Sequence, residues 1–169
     1  ILKGGDIVTL DLGVTYKSLI TDHAITVPVG VVDPKGMKLI RATEEALRRG
    51  IEVLKPGGKI GDFGAEVMRV ADKYGLTIAE DLSGHGVGYN VHEEPYVPNM
   101  AYKGEGPTLK EGLVIALEPM FCEGKGHVRC LKDQYTYVTK DGSRSAHFEH
   151  TIAVTSKGIE ILTPPSSVN

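Results

Sequence analysis

Three short apolar stretches each enclose a carboxylate: Asp11 in "VTLDLGV", Glu118 in "VIALEPM" and Glu149 in "AHFEHTIAV". Their neighbours read as strand residues that want burial. Burying an ionised carboxylate alone is so unfavourable that the group protonates or the strand forms elsewhere. Taken singly, each could sit on the solvent face of its strand. Together with Asp22, which follows Asp11 across a first hairpin, they repel one another and call for cations. No lysine or arginine lies in the three strand cores that carry Asp11, Glu118 and Glu149. A divalent metal is the compensation to which the pattern points.

The rest of the composition narrows the setting. With 169 residues, 41% hydrophobic and 24% charged, the chain fits one globular domain, residues 1–169, with a real core. A net charge of −3, with lysine and arginine scattered, gives no basic footprint for nucleic acid. No apolar run approaches the roughly 20 residues that span a bilayer, and no charged-then-apolar leader opens the chain. Cys122 and Cys130 are too few for a disulfide scaffold and read as two free, buried thiols in a reducing, cytoplasmic compartment. The first residue, Ile1, fits a processed, trimmed or partial product.

Along the chain, residues 5–30 alternate β-branched residues on both sides of a polar middle, which predicts two strands joined near Thr15–Ser18. In residues 33–58, Asp33 is an N-cap and Pro34 the first helical residue, with Ile40, Leu47, Ile51 and Leu54 on one face. A second helix over 62–74 shows Phe63, Val67, Val70 and Tyr74 and stops at Gly75. Strands are expected at 76–81, 112–124, 127–132, 135–140, 147–155 and 158–162, with Asp141-Gly142 as a hairpin turn and "TPPSSVN" as a loose tail. The order of elements reads as α+β, a mostly antiparallel sheet backed by helices.

Between these elements, "LSGHGVGYNVHEEP" (82–95) places His85 and His92 in a glycine-rich stretch that reads as a flexible loop. Four carboxylates and the His85 imidazole form an oxygen-rich donor set, suited to Mn, Co, Fe(II) or Zn. Two divalent ions would nearly cancel four carboxylates, and a water between them would have its pKa lowered toward about 7. That chemistry is hydrolysis.

The stretches "GDIVTLDLG", "TDHAITVPVG", "GHGVGYNVHEEP", "IALEPMF" and "SAHFEHTIAVT" resemble the bacterial methionine aminopeptidases, whose pita-bread fold is shared with aminopeptidase P and prolidase. The resemblance implies that Asp11 binds one metal through both oxygens, that Asp22 and Glu149 bridge, and that His85 and Glu118 hold the other. It implies Glu118 as a proton shuttle and His92 as a hydrogen-bond donor to the scissile carbonyl. The glycines would let the backbone pass close to the metals and the peptide. Glu93 and Glu94 face solvent or orient the loop, and His23, His127, His147 and His150 fall outside the site.

The motif "EPM" is similar to the methionine-specific branch, which implies removal of N-terminal methionine from a peptide or nascent polypeptide near the ribosome. Val91 and Tyr135 stand where that family places bulkier aromatics against the methionine side chain. Two other readings share the fold: a proline-directed aminopeptidase or prolidase, and a non-catalytic binding protein. Members of the family also carry a front segment ahead of "GDIV" that this sequence does not contain. The expectation is therefore an N-terminally truncated pita-bread fold that a complementing segment or a homodimer would complete. Its bare strand edges invite such pairing.

Overall fold

The computed structural model describes residues 1–164; the expected tail at 163–169 lies outside the described residues from residue 165 onward. The first hairpin pairs β1 (Ile7–Tyr16) with β2 (Leu19–Pro28), Asp11 lying opposite Ala24 and Asp22 opposite Gly13. Its two turn residues, Lys17 and Ser18, both take positive φ (48° and 66°), the backbone hand that matches strand twist. Helix α1 (Pro34–Glu52) follows, and the Asp33 carboxylate accepts from the backbone N–H of Lys35 and Gly36. That carboxylate also holds Arg144, which keeps its pKa well below the ordinary range. Helix α2 (Gly61–Tyr74) ends on Gly75 in the left-handed conformation (φ 60°). The two helices cross closely at Gly50, where a Cβ would strike the Phe63 ring.

The remaining elements are strands: β3 (Thr77–Ile78), β4 (Gly84–Gly86), β5 (Glu93–Val97), β6 (Val114–Leu117), β7 (Met120–Cys122), β8 (Val128–Cys130), β9 (Tyr137–Thr139), β10 (Ser145–His147), β11 (Glu149–Thr155) and β12 (Gly158–Ile161). Among the described residues the largest sheet runs β1-β2-β11-β6-β4-β5, with β12 added to β11, and every pairing is antiparallel. A smaller sheet runs β10-β7-β3, and β8 pairs with β9. Ile115, Leu117, Ile152 and Val154 project from one face of the large sheet into a core with Leu39, Phe63, Val67 and Val70 of the helices.

Several expectations change. The stretch over 112–124 is two strands, not one. Pro119 cannot donate to a ladder, and at Glu118–Pro119 the chain leaves one sheet and enters the other. The chain over 145–155 changes sheets likewise at Phe148, whose N–H reaches the Pro119 carbonyl at 3.4 Å. The Asp141-Gly142 turn joins no hairpin, because β9 pairs β8 while β10 pairs β7. The apolar residues around Asp11 are not buried: Leu10 is 50% and Leu12 67% exposed, in line with exposed Val14 and Tyr16. They share the helix side of the sheet with His23 and Ile25, which line a cavity of about 740 Å³ against α1. Cys130 is exposed; Cys122 is buried, which pushes its thiol up to about 11.

The glycine-rich stretch is likewise no loop throughout, since β4 and β5 are paired strands within it. Its glycines serve strand packing: a Cβ at Gly84 would collide with the Ala116 carbonyl oxygen, and one at Gly86 with that of Glu94. Gly86→Ala should therefore destabilise the protein by about 1–3 kcal/mol, read as a lower urea midpoint. Gly4→Ala, at an open position, should leave the midpoint unchanged.

Candidate metal centre

The cross-strand register sets the candidate residues on one face of the large sheet, opposite the helices. Directly paired residues in antiparallel strands point to the same side. Asp11 on β1, Ala24 on β2 and Glu149 on β11 form one row, and the β11–β6 register carried one step on brings Glu118 into it. The next row holds Asp22 on β2, then Thr151 and Ala116, then His85 on β4. Small residues, Ala24 and Ala116, separate the acidic and imidazole groups and leave space between them. Thr151 locks the second row, accepting from the Asp22 N–H at 2.8 Å and donating to the Asp22 carbonyl at 2.7 Å.

Asp22, His85 and Glu149 each offer a ligand atom within 4.8 Å of the others'. His85 Nδ1 donates to the Gly86 carbonyl at 2.9 Å, which leaves Nε2 with a free lone pair facing the carboxylates. That nitrogen lies 3.3 Å from Glu118 Oε1. Glu149, only 2% exposed, has its carboxyl pushed up to about 10 by burial and by Glu118, Asp22 and Asp11. Burial, Asp22 and Glu118 raise Asp11 as well, against the pull of His147. Burial works to raise Glu118 too, but His147 and His85 on its two oxygens outweigh it and hold the group low. A group that would hold its proton to high pH, among acids that no lysine or arginine of the described residues pairs with, fits a missing positive charge. The residues present therefore fit divalent metal.

His92 lies beside this cluster without entering it, its ring edge-on to that of His85 at 4.3 Å between centroids. Val91 is exposed next to it, and Tyr135, 87% exposed, stands in the turn between β8 and β9. Glu93 accepts from the Asn90 N–H at 2.7 Å and so orients the bend before β5, while Glu94 is exposed. Of the histidines set aside, exposed His127 pairs with Glu80. His23 and His150 stack behind the sheet, where His23 Nδ1 donates to the Glu149 carbonyl. His147 is the correction: its Nε2 lies 3.4 Å from Glu118 Oε2 and its Nδ1 3.9 Å from Asp11 Oδ2. A signal existed in the sequence, because residues 147 and 149 share a face when the strand period is two.

The model of metallopeptidase family M24 matches residues 1–156. The chain belongs to that family. It is 44% identical to methionine aminopeptidase A of Synechocystis sp. over 163 residues, which cover 96% of this chain and 64% of that protein. It is 45% identical to the methionine aminopeptidase of Aquifex aeolicus over 165 residues, again 96% of this chain and 64% of that one. The crystal structure of methionine aminopeptidase from Thermotoga maritima superposes with a TM-score of 0.94 at 43% identity, covering 98% of this chain and 66% of that one. Prolidase from Pyrococcus furiosus gives 0.76 at 28% identity, with 98% and 43% covered. This M24 chain thus has the pita-bread fold, and it spans just under two thirds of the length of the curated relatives it matches.

Metal-free protein has a definite pH signature. Glu149 is raised in the fold, so between its unfolded pKa near 4.5 and about 10 the unfolded chain releases a proton that the folded chain keeps. Stability present below the lower value is then lost as pH rises, at up to about 1.4 kcal/mol per pH unit. Chelated protein should melt lower at pH 8 than at pH 5.5, and Glu149→Gln should flatten that dependence. Adding Mn(II) should restore the melting temperature at pH 8 in the parent and not in the variant.

Proposed function

We propose that this M24 protein is a dinuclear metalloaminopeptidase that removes N-terminal methionine from new polypeptides in the cytoplasm. The observation that carries the reading is the pair of adjacent cross-strand rows that gather Asp11, Asp22, His85, Glu118 and Glu149 on one face. The identity to methionine aminopeptidases over 96% of the chain supports it further. In this reading Asp11, Asp22, His85, Glu118 and Glu149 would together hold the two ions. Mn, Co, Fe(II) or Zn suit such a set. When bound, a pair of these ions supplies Lewis acidity and an activated water at neutral pH.

The chain's own residues would perform the rest. Glu118, kept ionised by His147 and His85, is ready to accept a proton from the attacking water and deliver it to the leaving amine. His92, exposed beside His85, would donate to the scissile carbonyl as charge gathers on its oxygen. Val91 and Tyr135 would border the methionine side chain, whose flexible thioether adapts to an apolar wall. Their exposure leaves that wall to be finished by other residues. The apolar row Leu10, Leu12, Val14 and Tyr16 would be covered by a complementing segment or a second copy, with substrate arriving as it leaves the ribosome. No helix among the described residues is long and apolar enough to cross a membrane.

Protein loaded with Mn(II), Co(II) or Fe(II) should release methionine from Met-Ala-Ser and leave Ala-Pro-Ala intact. Asp22→Ala should abolish metal binding and this activity together. Cleavage before proline would overturn the methionine assignment, and an Asp22→Ala protein that still binds two ions would overturn the centre.

A further inference from the structure

The face that carries the rows continues into a third, and this row contains His147. Thr9 and Thr26 pair across β1 and β2, their hydroxyls 2.9 Å apart. Thr26 Oγ1 then clamps the backbone of His147, accepting from its N–H and donating to its carbonyl, both at 2.8 Å. Backbone held this firmly fixes where the ring can go, as the supporting groups of a metal ligand do. The ring is mostly enclosed, and Nε2 is buried without an aligned hydrogen-bond partner among the described residues. It points at Glu118.

Glu118 consequently meets one histidine on each oxygen: His85 Nε2 at 3.3 Å from Oε1 and His147 Nε2 at 3.4 Å from Oε2. The two contacts differ in kind. His85 Nδ1 already donates to Gly86, so its Nε2 offers a lone pair, and a cation belongs between it and Oε1. His147 Nδ1 has no such carbonyl and faces Asp11 Oδ2 at 3.9 Å, so the hydrogen is free to sit on Nε2. Reaching an ordinary N–H···O length of about 2.9 Å takes a shift of only about 0.5 Å.

We infer that His147 is a positioning residue of the centre, donating from Nε2 to Glu118 Oε2 and so keeping Glu118 bound to metal through Oε1 alone. This rests on the metal-centre reading above. Oε2, held off the metal, is then the oxygen that takes up and releases the proton. Without the donor, Oε2 is free to turn toward the cation, giving a second metal–oxygen contact and no free base. The buried orphan nitrogen, the Thr26 clamp and the opposed histidines all fit this division of one carboxylate into a ligand oxygen and a proton-carrying oxygen.

Co(II) titration tests it, because the visible d–d bands report the number and arrangement of ligands without any turnover. His147→Leu keeps bulk and removes the donor; His147→Gln keeps a donor of similar reach. The leucine variant should bind as many Co(II) ions as the parent but with weakened and shifted bands. Its kcat on Met-Ala-Ser should fall about tenfold or more with KM within about twofold. The glutamine variant should match the parent in both respects. Bands unchanged in the leucine variant would overturn the assignment, and so would the loss of one ion, which would make His147 a ligand instead. If the leucine variant does not fold by circular dichroism, the glutamine variant still decides: parental bands support the inference and altered bands end it. A parent protein that takes up no Co(II) would instead overturn the metal centre itself.

Discussion

Electrostatic repulsion among buried carboxylates is the constraint on which the structure turns. Glu149 is nearly sealed from water and sits among three other acids, and its carboxyl is driven up to about 10. Among the described residues nothing basic from a helix reaches in to compensate; Arg48, Arg49 and Arg69 pair with glutamates on the outside, and Arg41 donates to the Met37 carbonyl of its own helix. A chain would not keep such an arrangement for stability, since uncompensated buried charge is among the more unfavourable things a core can hold. The arrangement becomes reasonable once divalent cations belong to it.

The fold supplies what that constraint demands. Antiparallel register turns residues distant in the chain into direct neighbours: Asp11 and Glu149 flank Ala24 from opposite sides, and Asp22 and His85 lie along one row. Helices α1 and α2 cover the opposite face, so the acids gather on the side of the sheet away from them. The breaks at Glu118–Pro119 and at Phe148 move two strands together from one sheet to the next. Glu118, His147 and Glu149 all stand at that double bend, where strand ends can aim side chains inward.

Much of this is legible in the sequence, for physical reasons that differ by element. The first hairpin and both helices carry local signals: alternation for β1 and β2, the Asp33-Pro34 cap for α1, Gly75 for α2. The acids are legible because a carboxylate among strand residues contradicts its surroundings. The pairing of β4 with its neighbours is not legible, because the β4 glycines answer to carbonyl oxygens of the facing strands, Gly84 to Ala116 of β6 and Gly86 to Glu94 of β5. No local pattern encodes those contacts. His147 is missed because its meaning lies in the oxygen it faces, and Leu10 and Leu12 because burial depends on what lies across from a strand.

The central claim is that Asp11, Asp22, His85, Glu118 and Glu149 close around two cations. Anomalous diffraction at the manganese edge from crystals grown with Mn(II) tests it most directly. The account predicts two peaks about 3.5–4 Å apart, both among these five side chains and one of them against His85 Nε2. Peaks elsewhere on the molecule, or none among the five, would contradict it.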